Sequence, residues 1–448
     1  MCGIAGVYNV PNANSVLRDM LHALQNRGTD ATGVVTFTGA EHYVFRSPKK
    51  VSAALTPEVL SQLPGNCGIG HNRYPTASNS KQATNIQPIL LQVGTEVLTI
   101  AHNGNFTNTK ELEDGLLKGT PFFSQSDTER FFRLILKHYR TDELLASIEK
   151  ALSQMSGSCS AVMMRAQELV AIRDSSANRP LYWGKLGRGY VVASETSALD
   201  DVGVFEHHEV LPGTIMSFSP RGIATTSLPK EKEHRCVFEY LYFANPTSHV
   251  NGIQTADFRR AAGRALNQEH GIATDLIVAV PDSSTFIGEG YQTEKVWGRY
   301  DQSIIIRKHD TGRTFIMPGQ AERIKAVEQK FSFRTDLIAG KSITVIDDSV
   351  VRSTTSYGIT QSLRERGATA VHWRIAGPRI VNPCHYGINT PQREELVAAT
   401  MSNEEIARTL GADSIEFLSL ENFKQVIKAH GVAPSKCCFA CMGGPYWH

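Results

Sequence analysis

The sequence predicts an α/β chain built from two unlike parts, and three observations carry that reading. Over residues 2–230, short apolar runs end in polar loops around one clear amphipathic helix. Over residues 231–448, short apolar strands alternate with helical patterns, the rhythm of a parallel sheet flanked by helices. Between them, residues 219–234 are polar and carry Lys230, Glu231, Lys232 and Glu233 in one run, which marks the boundary.

In the first part, Leu17, Met20, Leu21 and Leu24 fall on one face at helical spacing. The stretches 97–105, 158–164 and 189–195 read as buried strands. In the second part, the strands are 275–280, 342–348 and 370–376. At 448 residues the chain is long enough for two or three domains with cores of their own. With 41% hydrophobic and 20% charged residues it has an ordinary globular composition. A net charge of +2 makes no electrostatic case for a nucleic acid or a membrane surface as partner. No apolar run approaches the roughly 20 residues that span a bilayer. The start, MCGIAGVYNV, lacks the regions of a signal peptide, so the cytoplasm is the expected location.

The eight cysteines therefore call for a reading other than disulfides. Cys67 and Cys159 lie among apolar or small residues and are expected to be buried and inert. Cys236 and Cys384 are isolated, and Cys437, Cys438 and Cys441 cluster near the end. Cys2 is a candidate N-terminal nucleophile: removal of Met1 would free an α-amine on the same residue to relay the thiol proton. The competing reading is a cysteine that merely follows the start methionine.

MCGIAG, LQNRGTDATG (24–33), GHNRYPTAS (70–78), AHNGNFTN (101–108) and SDTER (126–130) follow one another in the order of class II glutamine amidotransferases, which this part resembles. The resemblance implies an N-terminal-nucleophile hydrolase αββα sandwich with Cys2 as nucleophile. It implies that Arg73 grips the glutamine α-carboxylate, a task for a planar bidentate donor. Asp127 would accept from the substrate α-amine. Asn103 and Gly104 would form the oxyanion hole, and Arg27 would help to hold glutamine near the nucleophile.

TVIDDSVVRSTTS (344–356) is an apolar strand, two acids, then a hydroxyl-rich loop entering a helix. Helix-start N–H groups with the hydroxyls of Ser353, Thr354 and Thr355 suit a phosphate. Asp347 and Asp348, at a strand's C-terminal end, suit ribose hydroxyls or Mg²⁺. The alternative is a capped turn with two solvated acids. The motif resembles the phosphoribosyl pyrophosphate loop of type I phosphoribosyltransferases. With VPDSS (280–284), GRTFIMPGQ (312–320), HYGINT (385–390), RDSSANRPLYWG (173–184), ASET (193–196) and HEVLPGTIMSF (208–218), it makes the whole chain similar to the amidophosphoribosyltransferase family. That resemblance implies glutamine and phosphoribosyl pyrophosphate as substrates, the latter bound by Asp347, Asp348, Ser349, Arg352, Ser353, Thr354, Thr355 and Arg313. It places Mg²⁺ on Ser283, Asp347 and Asp348. It further implies purine nucleotides as inhibitors and a homodimer or homotetramer.

Cys438-Phe-Ala-Cys441 alone suits zinc or redox work equally. The clustered-cysteine branch of the family implies a [4Fe–4S] cluster on Cys236, Cys384, Cys438 and Cys441, preferred here over zinc, with Cys437 the register alternative to Cys438. Three places depart from the family pattern. Arg307-Lys308-His309-Asp310-Thr311-Gly312 replaces the usual Lys, Asn, Arg and aromatic positions of a mobile loop. Ser353 stands where the family has Gly, and ANPTS (244–248) stands for ARPDS. All three fall on the phosphoribosyl side, which leaves two other readings open: a paralogue that aminates a different phosphorylated acceptor, and a non-catalytic nucleotide or redox sensor.

Overall fold

A computed structural model describes residues 1–74, 83–139, 143–293, 298–308, 327–390 and 392–447. The first part contains two antiparallel sheets. One has seven strands, in the spatial order His207–Glu209, Tyr182–Leu186, Gly189–Ala193, Gly3–Tyr8, Cys67–Arg73, Ala31–Phe37 and His42–Ser47. The other has six: Gly222–Ser227, Thr214–Ser219, Glu168–Arg173, Gly157–Arg165, Glu96–Phe106 and Ile89–Val93.

Alternation along the strands builds the layers. On Gly3–Tyr8, Ile4 and Tyr8 enter the core between the sheets, whereas Ala5 and Val7 face the helix layer. The expected amphipathic helix is Ala13–Ala23, which buries Leu17, Met20 and Leu21 on the seven-stranded sheet, with Leu24 just beyond it. It sits close because Gly68 and Gly70 lie beneath it: a Cβ on either would come within 2.8 Å of Leu17 or 2.7 Å of Leu21. Asp127–His138 and Leu144–Leu152 cover the six-stranded sheet through Phe131, Phe132, Ile135 and Ile148. The outcome is the helix–sheet–sheet–helix sandwich, with all three expected strands present.

The second part has a five-stranded parallel sheet, ordered Arg299–Tyr300, Leu276–Ala279, Ser342–Asp347, Ala370–Ile375 and Ser414–Phe417. Both of its faces are buried. Ile277, Ala279 and Ile346 enter one core, and Val278, Ile343 and Val345 the other. The first of these cores also takes in Met1 and Tyr74 from the first part.

Between Ser227, the end of the last sandwich strand, and Arg235 lies the polar run seen in the sequence. Arg235–Cys236 then pairs in parallel with Cys437–Cys438, so the end of the chain returns to the junction. His234 N donates to Ser176 O at 2.7 Å, and Cys236 N to Asn178 O at 3.3 Å, which fastens this strand to the turn after Arg173.

Asp174 organises that turn. Its carboxylate accepts from Cys159 N at 2.8 Å, Ser176 Oγ at 2.9 Å and Ala177 N at 3.0 Å. Burial outweighs these bonds and raises its pKa to about 6. A carboxyl raised in the folded state favours folding below its unfolded value, about 4, and that contribution is lost as pH climbs through about 6. The native chain is therefore expected to lose stability relative to Asp174→Asn between these pH values, with a constant difference above them. Melting temperatures of the two proteins across that range test this.

Candidate active site

Cys2 precedes the central strand Gly3–Tyr8, which begins opposite Asn72 and so beside Arg73 at the end of its neighbour. Gly3 is required there, because a Cβ would lie 2.9 Å from the Leu24 Cβ. Arg73 is 6% exposed and donates through Nη1 to Asn85 O, while its Nε has no partner among the described residues.

Asn103 and Gly104 come from Glu96–Phe106, on the facing sheet. Asn103 is 1% exposed, and its Nδ2 has no partner among the described residues, a rare condition for a buried donor. Gly104 has φ +155°, and a Cβ there would overlap the Ser158 carbonyl and lie 2.6 Å from His102 Nε2. Only glycine suits this position.

Asp127 opens the helix Asp127–His138, where the helix dipole favours a carboxylate. It accepts from Phe106 N at 3.1 Å and from Thr128 N at 2.8 Å, and remains 23% exposed, able to meet an ammonium group. Behind it, buried His102 bonds through Nδ1 to Thr128 Oγ1 at 3.1 Å and through Nε2 to Ser158 O at 3.3 Å. Burial lowers the His102 pKa, as it does for His71, brought down to about 3 with help from the charge of Arg73. Both rings are neutral at physiological pH, so the pocket floor adds no cation beside Arg73.

Arg27 departs from expectation. Its guanidinium is 0% exposed and fully engaged, so it does not reach out to a substrate. Nε donates to the Cys2 carbonyl at 3.0 Å, Nη1 to Glu195 at 2.7 Å and Glu239 at 3.0 Å, and Nη2 to Glu239 at 2.8 Å. Burial alone would lower its pKa; the two carboxylates reverse this and hold the charge in place. Glu195 also accepts from Asn245 N at 2.7 Å and Ser248 Oγ at 2.9 Å, in the ANPTS segment. In that segment Asn245 Oδ1 accepts from Thr247 N and Oγ1, both at 3.0 Å, where the family pattern has an Arg and an Asp.

In the second part, Asp347 and Asp348 end the central strand and are 7% and 4% exposed. Ser283 Oγ donates to Asp348 at 2.7 Å, Ser284 Oγ to Asp347 at 2.9 Å and Ser349 Oγ to Asp348 at 2.6 Å. Burial pushes both carboxyls up, Asp347 further because Asp348 adjoins it. Two hard oxygen anions with hydroxyls beside them form a donor set that suits Mg²⁺.

The helix Thr354–Glu365 begins directly after this pair, and its N-cap, Ser353, makes no side-chain capping bond. The helix-start N–H groups are thus left for an anion. Ser353 has φ +58°, in the left-handed region where glycine rests without strain, which gives a physical reason for the family's Gly. Arg352 turns aside to Glu395 at 2.9 Å. Arg307 reaches Asp282 at 3.2 Å, whereas His309, Asp310, Thr311, Gly312 and Arg313 lie outside the described residues.

Comparison with known proteins agrees with this geometry. A glutamine amidotransferase domain model matches residues 71–201, the stretch that holds Arg73, Asn103, Gly104 and Asp127. A chloroplastic amidophosphoribosyltransferase of Vigna aconitifolia is 38% identical over 99% of this chain and 91% of its own. The amidophosphoribosyltransferase of Bacillus subtilis is 36% identical over 99% and 94%. The solved B. subtilis glutamine phosphoribosylpyrophosphate amidotransferase, complexed with ADP and GMP, superposes with a TM-score of 0.91 at 35% identity, over 99% of this chain and 97% of that one. The chain belongs to the amidophosphoribosyltransferase family.

In this amidophosphoribosyltransferase all eight cysteines are free. Cys67 and Cys159 are buried, and burial raises both thiols, as expected of inert residues. Cys236, Cys384, Cys438 and Cys441 converge from three segments and lie within electrostatic reach of one another. Cys437 donates through Sγ to Ala433 O at 3.9 Å and also lies within electrostatic reach of Cys236. Among the described residues no three His, Cys, Asp or Glu side chains are arranged to hold a single metal ion. By donor chemistry, four soft thiols brought together suit either zinc or an iron–sulfur cluster.

Several residues were not singled out from the sequence. Glu239 was visible in principle, as the one charge in the apolar run 236–244. Glu195 and Arg179 lie inside quoted motifs, but nothing local reveals that Glu195 meets Arg27 or that Arg179 approaches Glu239. Ser284 carried no signal apart from Ser283. Arg179 Nη1 stands 3.6 Å from Glu239, and its Nε donates to Tyr386 O at 3.2 Å.

Removing Glu239 leaves two buried guanidinium groups short of a counter-charge. Glu239→Ala is expected to cost about 3 kcal/mol or more, and Glu239→Gln less. Thermal melts of the two variants beside the native chain test the order.

Proposed function

We propose that Cys2, Asn103, Gly104, Arg73 and Asp127 carry the glutamine half of the amidophosphoribosyltransferase reaction, in the unit 2–230. The phosphoribosyl half then belongs to Asp347, Asp348, Ser349 and Ser353–Thr355, in the unit 231–448. The reaction takes the amide nitrogen of glutamine and joins it to phosphoribosyl pyrophosphate, giving 5-phosphoribosylamine, glutamate and pyrophosphate, the first step of purine synthesis. The observation that carries the residue assignment is the unpartnered Asn103 Nδ2, a buried donor on the strand that also supplies Gly104.

Loss of Met1, now 1% exposed in the apolar core shared by the two parts, frees the α-amine of Cys2. That amine takes the thiol proton as sulfur attacks the carboxamide carbon. Asn103 Nδ2 and the Gly104 N–H receive the oxyanion. The C–N bond breaks, the relayed proton leaves with the nitrogen as ammonia, and water releases glutamate from the thioester. Arg73 and Asp127 hold the α-carboxylate and α-amine throughout, and Arg27 acts as a positioning residue through the Cys2 carbonyl.

At the second site, nitrogen bonds to the anomeric carbon as pyrophosphate departs. Asp347 and Asp348 orient the ribose hydroxyls, and the uncapped helix start binds the 5′-phosphate. Mg²⁺ held by Ser283, Asp347 and Asp348 would neutralise the leaving pyrophosphate. Purine nucleotides as inhibitors are supported by the B. subtilis relative solved with ADP and GMP. Assembly as a homodimer or homotetramer and a cytoplasmic location both rest on the sequence reading and the resemblance.

Cys2→Ala is expected to abolish glutamate release while ammonia-supported pyrophosphate release persists. Assays of both products, with and without phosphoribosyl pyrophosphate and Mg²⁺, test this; loss of both activities would put the division of labour in error. The [4Fe–4S] assignment to Cys236, Cys384, Cys438 and Cys441 predicts iron and inorganic sulfide in stoichiometric amounts after anaerobic purification. A colourless protein that holds zinc would reverse it.

A further inference from the structure

The segment after Cys384 belongs to the second part of the chain, yet it packs against the oxyanion strand of the first. His385 O accepts from Asn105 Nδ2 at 2.8 Å. Tyr386 O accepts from Ser158 Oγ at 2.8 Å and Arg179 Nε at 3.2 Å. Ser158 Oγ in turn accepts from Asn105 N at 3.3 Å. Gly387, at φ +113°, lies so near that a Cβ would stand 2.9 Å from the Gly104 carbonyl oxygen and 3.1 Å from its carbon. The segment is itself held: Cys384 N donates to Thr390 Oγ1 at 2.6 Å, and Tyr386 N to Cys384 Sγ at 3.4 Å.

Glycine has little conformational preference of its own, so the geometry at Gly104 must be imposed from outside. On one side the strand Gly157–Arg165 pairs with it, Gly104 opposite Cys159 and Asn105 opposite Ser158. The segment 385–387 supplies further restraint, on the Gly104 carbonyl and on the Asn105 side chain. We propose that this segment is a positioning brace for the oxyanion hole, so that glutamine cleavage depends on backbone that takes no part in its chemistry. The inference rests on the reading of Asn103 and Gly104 given above. An oxyanion donor acts mainly in the transition state, so a displaced donor lowers kcat and leaves KM unchanged.

The test uses the full-length enzyme. Gly387→Ala pushes on the Gly104 carbonyl, and Asn105→Ala removes the side-chain anchor without adding bulk. Glutaminase kcat is expected to fall about tenfold or more in the first and several-fold in the second. KM for glutamine should stay within about twofold, and so should ammonia-supported pyrophosphate release and the rate of Cys2 alkylation by iodoacetamide, read on the N-terminal peptide. The brace is overturned if kcat stays within about twofold in both variants, or if KM, Cys2 alkylation and ammonia-supported activity fall together with kcat. An Asn103→Ala control separates the two readings. If it too keeps its kcat, the oxyanion assignment falls and takes the brace with it. If it is slowed while both other variants are not, the brace alone falls.

Discussion

The Arg27 guanidinium has no contact with water, and the junction of the two parts is organised around it. One nitrogen holds the Cys2 carbonyl; the others meet Glu195 from the sandwich and Glu239 from the segment that leads into the parallel-sheet part. A buried ion group of this kind adds little net stability, because desolvation offsets most of the Coulomb attraction. What it confers is specificity. If either carboxylate is withdrawn, a charge remains stranded, so the two parts can close in one arrangement, and in that arrangement Cys2 is held. The sandwich around Cys2 is thereby completed by a residue of the segment that leads into the other part.

A different imbalance governs the phosphoribosyl site. Asp347 and Asp348 are buried side by side, with serine hydroxyls donating to them. Burial raises both pKa values, and the uncapped helix start nearby leaves its N–H groups open to an anion. On the function proposed above, a magnesium-bound phosphorylated sugar would answer both the acidic pair and the helix start. Ser353 holds a left-handed backbone conformation in which its Cβ costs about 1 kcal/mol or more. The loss of the ARPDS pattern is milder. Asn245 and Thr247 stand where the family pattern has an Arg and an Asp and are joined by neutral hydrogen bonds, and Glu195 is engaged by the Asn245 backbone and Ser248.

The elements legible in the sequence are those with short-range causes. Leu17, Met20 and Leu21 share a helix face because 3.6 residues make a turn, and alternation along Gly3–Tyr8 follows from the pleat. Cys2, Asn103-Gly104 and Asp347-Asp348 could be singled out because each sits in a contiguous stretch that matches a family motif. Arg27 was legible as a residue of the site and misread in its role, since no local pattern shows that two distant glutamates engage it.

By itself, then, the sequence determined the two-part α/β organisation and singled out Cys2, the acidic pair and the cysteines as candidates, all from neighbours within a turn or a strand. The tertiary structure decided which of them act together. Arg27 became a support for Cys2 only when Glu195 and Glu239, at positions 168 and 212 residues further along, were brought to it. Gly104 gained the restraint of residues 385–387 only through packing between the parts. Contacts of that range depend on how surfaces close on one another, and no periodicity or motif in a linear chain encodes them locally.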